Sequence, residues 1–178
     1  MKMIRIIILI PVFFFSTLYA ESKEWKVKSG KVFFKSETDL ESIYGDGQGV
    51  KGTLNLDTKE IYIEITLGSI RTSNNLQTSH LHDNYFEIQK FPTAKFIGKV
   101  LEIKNEGEVK TVGSLELHGV KKENVEITGN LSKLGADIEQ TSYFTIRLSE
   151  YNIEVPKLVF LKVNQDIKVK VNLIWSKE

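Results

Sequence analysis

The sequence contains no cysteine among its 178 residues. Disulfides, thiolate metal sites and cysteine nucleophiles are therefore excluded, and packing and sheet hydrogen bonds must stabilise the fold. An excess of basic residues is also missing, because 24 Lys and Arg are balanced by 23 Asp and Glu. This balance lacks the electrostatic footprint of a nucleic-acid-binding protein. The length and the 26% charged fraction favour one globular domain.

A hydrophobic run long enough to span a membrane is missing as well. The most apolar stretch, residues 6–19, is about 14 residues long and is interrupted by Pro11. A spanning helix needs roughly 20 residues. Lys2 and Arg5 precede the stretch, and a basic start followed by a short apolar run is typical of a secretory signal.

The small residue Ala20 ends this stretch and suits the position before a cleavage site. We therefore predict a signal peptide over residues 1–20 and a single mature domain over residues 21–178. The mature protein is expected in the periplasm, or secreted from the cell, without a membrane-spanning segment. No cysteine follows the cleavage site, so a lipoprotein anchor is excluded.

Apolar residues recur at every second position along most of the mature chain. Every odd position in the ranges 61–67 and 167–175 is apolar, and the range 144–148 repeats the pattern on its even positions. This period is typical of antiparallel strands with one face in a core and the other in water, whereas parallel strands show continuous apolar runs. About eight such segments, at spacings typical of sandwiches and barrels, predict an all-β antiparallel fold.

Two segments depart from this pattern. Alternation disappears between residues 72 and 92, and Asn74 with Gln77 resembles a helix capping box. We predict a short helix over residues 74–83 within this long connection. Gly45 and Gly47 are interpreted as a hairpin turn, because no helix pattern follows them to complete an anion-binding site.

The interior of a barrel of this size is either filled by side chains or just wide enough for one small ligand. Alternation shows which face is inside but does not distinguish these two cases. A filled interior would favour a packed-core module that acts through its surface in interactions or stress. A hollow interior lined by Val, Ile, Leu and Phe would favour an apolar ligand, since each buried CH₂ contributes about 0.8 kcal/mol.

Few residues suggest chemistry. His80, His82 and His118 carry imidazoles of the kind that bind zinc, so the alternative is a metal-dependent enzyme or a metal-binding protein. The sequence has no G-x-S-x-G elbow and no recognisable carboxylate pair for glycosidase chemistry. We therefore predict no catalytic residues and no cofactor.

Two stretches carry a family resemblance. The first, residues 68–96, combines Ser-Ile at 69–70, His-Leu at 80–81, an aromatic pair at 85–86 and Phe-Pro at 91–92. The second, at positions 113–122, has the sequence GSLELHGVKK. Together they resemble the YceI-like family of polyisoprenoid-binding periplasmic proteins.

The resemblance implies a lipocalin-like barrel with a long apolar pocket. It also implies binding of a polyisoprenoid or a similar lipid, such as a quinone-type or fatty ligand, in a carrier or storage role without catalysis. The sequence leaves open whether two subunits form a homodimer. The inward-facing apolar positions that we predict to contact the ligand are Phe33, Leu54, Ile63, Ile65, Phe96, Leu115, Ile127, Phe144, Val169, Val171 and Trp175.

Overall fold

The computed structural model describes residues 24–38, 42–104, 107–155 and 163–177. The predicted signal peptide lies outside these ranges and stays a prediction. The strands are β1 (Glu24–Glu37), β2 (Ser42–Gly47), β3 (Val50–Asn55), β4 (Glu60–Thr66), β5 (Arg71–Thr72), β6 (Thr93–Ile103), β7 (Glu108–Leu117), β8 (Val120–Leu134), β9 (Asp137–Arg147) and β10 (Asp166–Lys177).

The strands form an antiparallel barrel. Around its circumference the order is β1, β3, β4, β6, β7, β8, β9 and β10, and β10 pairs again with β1 to close the ring. This arrangement confirms the predicted eight-stranded barrel with a short helix. Closure leaves each of these strands with partners on both sides, which satisfies the backbone groups that an open sheet would expose.

Strands β2 and β3 act as one strand with a break at residues 48–49. Val32 of β1 pairs with Gly47 of β2, and Trp25 of β1 pairs with Leu54 of β3. Both pairs have the same register relative to β1, as they would in one continuous strand. The prediction of a hairpin turn at Gly45 and Gly47 is therefore wrong, because both glycines lie within β2. The ring of Phe34 occupies the space that a Cβ atom at position 45 would need, so close packing explains the glycine.

The first and last strands meet along a seam that runs nearly the full length of β1. Val27 is opposite Trp175, a tryptophan that is 0% exposed. The indole Nε1 of Trp175 donates a hydrogen bond of 2.8 Å to Oε1 of Gln140, and Nε2 of Gln140 donates to Oγ of Ser142 at 2.9 Å. This buried network lies in the half of the barrel away from the helix.

A helical segment borders the opposite end of the barrel. The helix α1 (Asn75–His80) begins where Oδ1 of Asn74 accepts a hydrogen bond of 2.9 Å from the backbone N–H of Gln77, and a π-helical turn (Leu81–Tyr85) continues it. The predicted helix and its capping interaction are therefore present. We call residues 74–86 the cap segment. None of the helices in the described ranges has the length and apolar character required to cross a membrane.

Candidate functional site

A cavity of about 170 Å³ occupies the half of the barrel next to the cap segment. Its walls are almost entirely apolar and come from the inward faces of the strands, from the cap segment and from the chain that follows β9. A volume of this size is close to that of an engineered apolar cavity of about 150 Å³ that binds benzene. The interior is thus hollow here, which argues against the packed-core alternative.

The cap segment supplies apolar surface to the cavity through Leu81, Tyr85 and Phe86. The polar residues His80 and Asn84 also border the cavity, but both are exposed to solvent and therefore lie at its rim. Nδ2 of Asn84 lies 2.9 Å from Nδ1 of His80, so these two side chains support each other. Burial raises the pKa of the Tyr85 hydroxyl above its usual value, so this group stays neutral.

A second cavity of about 50 Å³ lies in the middle of the barrel. Its lining is mostly apolar, but the buried side chains of Thr111, Gln140 and Ser142 also border it. The polar atoms of these residues already have partners: Oγ1 of Thr111 donates to the carbonyl of Ile127 at 3.2 Å, and Gln140 bonds to Ser142. Each of these buried side chains thus has a hydrogen-bond partner within the protein.

Most of the predicted ligand-contacting residues line one of the two cavities. Leu54 and Trp175 are buried, with exposures of 1% and 0%, but border neither cavity because they pack in the filled half of the barrel. Eight line a cavity wall: Ile63, Ile65, Phe96, Leu115, Ile127, Phe144, Val169 and Val171.

The predicted inward orientation of Phe33 is wrong. Its neighbours Val32 and Phe34 line the large cavity, whereas Nζ of Lys31 and Nζ of Lys170 lie 4.9 and 5.8 Å from the centroid of the Phe33 ring, on the outer face. The cause is a β-bulge between residues 27 and 29. A bulge inserts one residue, so the inward positions change from odd to even along the rest of the strand.

The three histidines do not form a metal site. His80 contacts Asn84, and Nε2 of His82 lies 2.7 Å from the carbonyl oxygen of Ile70. His118 contacts different groups again, on the far side of the cap segment. Within the described ranges no three His, Cys, Asp or Glu side chains are grouped to hold an ion. The three-histidine metal hypothesis is therefore wrong.

His118 instead connects the chain after the cap segment to the barrel. Its side chain is only 9% exposed, and its Nε2 lies 2.8 Å from Oε2 of Glu87. Its Nδ1 lies 3.1 Å from the carbonyl oxygen of Tyr151, and its ring centroid is 4.5 Å from that of Phe91. Lys90, and secondly His118, hold the pKa of the Glu87 carboxyl below its usual range. We call this contact between Glu87 and His118 the latch.

We predict that His118→Asn loosens this connection without disturbing the hairpin. His118 and Gly119 form a two-residue loop in which both φ angles are positive, 52° and 72°, and Asn-Gly is the favoured sequence for such a loop. The variant lacks the contacts that the two ring nitrogens make with Glu87 and with the carbonyl oxygen of Tyr151. We therefore expect the free energy of unfolding to fall by about 1–3 kcal/mol. Denaturant titration measures this loss.

Hydrogen exchange adds a local readout, since amides of the cap segment should exchange faster in the variant. Lys121→Ala is a matched control in the same hairpin, because the ion pair of Lys121 with Glu123 is exposed to solvent and adds little to stability. Equal stability of His118→Asn and Lys121→Ala would contradict the structural role of the latch.

Comparison with known proteins identifies the family. The family model of the YceI-like domain matches residues 25–174, which is most of the chain. The chain belongs to the YceI-like family. The resemblance in the sequence motifs is thereby confirmed. No curated protein matches the sequence of this YceI-like chain.

Solved structures show the same fold at low sequence identity. A polyisoprenoid binding domain from Saccharophagus degradans, implicated in plant cell wall breakdown, is 20% identical with a TM-score of 0.72, covering 88% of this chain and 99% of that domain. Burkholderia cenocepacia BcnA is 14% identical with a TM-score of 0.69, covering 82% and 95%. The Campylobacter jejuni YCEI protein is 19% identical with a TM-score of 0.67, covering 80% and 90%.

Proposed function

We propose that this YceI-like protein binds a long apolar lipid inside its barrel and acts as a carrier or store for that lipid. The ligand class is a polyisoprenoid or a similar chain, such as a quinone-type or fatty lipid. The observation that carries the proposal is the apolar cavity of about 170 Å³ within the closed barrel. The polyisoprenoid binding of the Saccharophagus degradans domain supports the same ligand class.

The chemistry of the cavity wall favours a hydrocarbon tail. Each CH₂ group that moves from water into such a wall contributes about 0.8 kcal/mol, so ten groups give several kcal/mol after the ordering costs are subtracted. The tail needs no hydrogen bond. A headgroup, by contrast, would meet the polar rim, where Gln77, His80 and Asn84 border the cavity.

We propose binding without catalysis. The polar rim side chains are amides and an imidazole, which hydrogen-bond a carbonyl or hydroxyl headgroup and thereby orient it. Asn84 and His80 contact each other, and no nucleophilic side chain in the described parts of the chain is hydrogen-bonded to His80. A carrier must also release its ligand unchanged, and an apolar wall meets this requirement.

We propose that the protein works in the periplasm. Its predicted signal peptide supports export, and an exported carrier would protect an apolar chain from water between membranes. The basic start, the short apolar run and Ala20 are the sequence features on which this location depends.

Extraction of the bound lipid tests the proposal. We expect protein purified from its native host to carry one class of apolar lipid at close to one molecule per chain. Mass spectrometry of a chloroform extract identifies and quantifies it. A control sample is stripped of lipid by unfolding and refolding, and it should bind an added polyprenol again. An extract without a stoichiometric lipid, together with refolded protein that binds no polyprenol, would refute the function.

A further inference from the structure

The space inside the barrel is divided into two chambers along its axis. On β10, Ile167 and Val169 border the large cavity, whereas Val171 and Leu173 border the small one. The next inward residue is Trp175, in the filled half of the barrel. The small cavity therefore lies deeper than the large one as seen from the cap segment.

Four residues border both cavities and separate them. Ile65, Ala94, Leu115 and Phe144 lie on β4, β6, β7 and β9, respectively, and each appears in the wall of both spaces. Ile65 is paired directly with Ala94 across the sheet. We call these four residues the partition. On β7 and β9 they lie between residues that border only the large cavity, Leu117 and Ile146, and residues that border only the small one, Thr111 and Ser142.

The partition contains side chains with room to move. Ile65 and Phe144 point into the barrel and pack against the core, but both are only partly buried. Because they face inward, their accessible surface is exposed to the cavities. A side chain beside empty space lacks packing partners on that side, so a change of rotamer costs it little contact energy.

We propose that the partition sets the length of the apolar chain that the protein accepts, and that Phe144 is its specificity-determining residue. This inference rests on the proposed lipid-binding function. A tail enters from the cap side, fills the large cavity and stops where the Phe144 ring separates it from the small cavity. Movement of the ring would add the small cavity, of about 50 Å³, to the available depth.

The floor below the small cavity ends the path. Gln140 and Ser142 border that cavity, and Trp175 is bonded to Gln140 behind them. Deeper insertion would have to break these buried hydrogen bonds, and a hydrocarbon tail has no groups that replace them. The accessible depth therefore has two defined limits, the partition and the polar floor.

The test uses lipid-free protein and a series of linear isoprenoid alcohols that increase by one prenyl unit. Calorimetric titration gives Kd for each chain length. We expect Kd of the wild type to fall with length and then to level off, since carbons beyond the partition stay outside the cavity. In Phe144→Ala the levelling-off should move to an alcohol at least one prenyl unit longer. Each newly buried CH₂ improves Kd by about fourfold.

Ile146→Ala is the matched control. Ile146 lies two residues from Phe144 on β9, is also partly buried and borders only the large cavity. Its truncation enlarges the large cavity without removing the partition, so the levelling-off should stay at the wild-type length. Ala94→Leu makes the opposite change, because a larger side chain thickens the partition. In this variant the levelling-off of Kd should not move to a longer alcohol.

Two results distinguish failure of the proposed length limit from failure of the lipid-binding function on which it rests. If folded Phe144→Ala levels off at the same chain length as the wild type and Ile146→Ala, the partition does not limit length and the inference is overturned, while lipid binding stands. If the wild type binds none of the alcohols, the proposed function itself fails. Phe144→Leu, which retains more of the core, replaces Phe144→Ala if circular dichroism shows that the latter is unfolded.

Discussion

Val169→Asp should abolish lipid binding and destabilise the protein by about 4 kcal/mol or more. Val169 is 7% exposed and forms part of the wall of the large cavity. No lysine or arginine is among the described residues that line this cavity, so an ionised carboxylate at this position lacks a permanently charged partner. Burial of such a charge is among the most costly single changes in a protein, even when the group takes up a proton instead. Denaturant titration and polyprenol binding measure the two effects.

Phe33→Asp is the control for this prediction, because it makes a comparable change on the outer face of the neighbouring strand. Its new carboxylate would lie beside Lys31 and Lys170, whose amino groups now contact the Phe33 ring. We expect lipid binding to be retained and the free energy of unfolding to change by less than about 1 kcal/mol. Similar behaviour of the two variants would show that we have assigned the faces of these strands incorrectly.

Trp175→Ala should cost about 3–5 kcal/mol of stability, the range for removal of a large aromatic side chain from a core. Trp175 is the most completely buried side chain of the described core, and it satisfies Oε1 of Gln140. Trp175→Phe separates packing from hydrogen bonding. It keeps an aromatic ring but leaves the Gln140 oxygen without its donor, which costs about 1–3 kcal/mol.

Trp25→Phe serves as the matched control, since Trp25 lies near the same seam but is only partly buried. We expect it to lose less stability than Trp175→Phe in the same urea titration. Trp175→Phe should still bind the wild-type range of polyprenols, because Trp175 borders neither cavity. An equal loss in both Trp→Phe variants would contradict a special role of the bond to Gln140.

The sequence predicts the fold well because the alternation of side chains is a local property of each strand. The periodic segment 167–175 becomes the inner face of β10, and the capping residue Asn74 begins the helix. On β1, where the alternation predicted the wrong inward face, a single backbone irregularity was responsible. The β-bulge after Val27 inverts the faces of β1, so that Val32 and Phe34 line the cavity in place of Phe33.

The cavity itself could not be predicted from the same pattern. Its volume depends on how side chains from different strands meet, and Phe144 is recognisable as part of a partition only when Ile65 and Ala94 are placed beside it. The polar rim was equally hidden, because the sequence predicts the short helix that holds His80 and Asn84 but not its position against the barrel. Gln140 and Ser142 gave a weak signal as polar residues at alternate positions of β9.

The seam between β1 and β10 means that the barrel closes only when two strands far apart in the sequence meet. Trp25 is paired with Lys177, so one edge of β1 stays open until β10 has formed. Such distant pairings make folding slow, and a nascent or truncated chain presents two open strand edges, which are templates for aggregation. A carboxyl-terminal truncation before β10 should therefore yield insoluble protein instead of a smaller barrel.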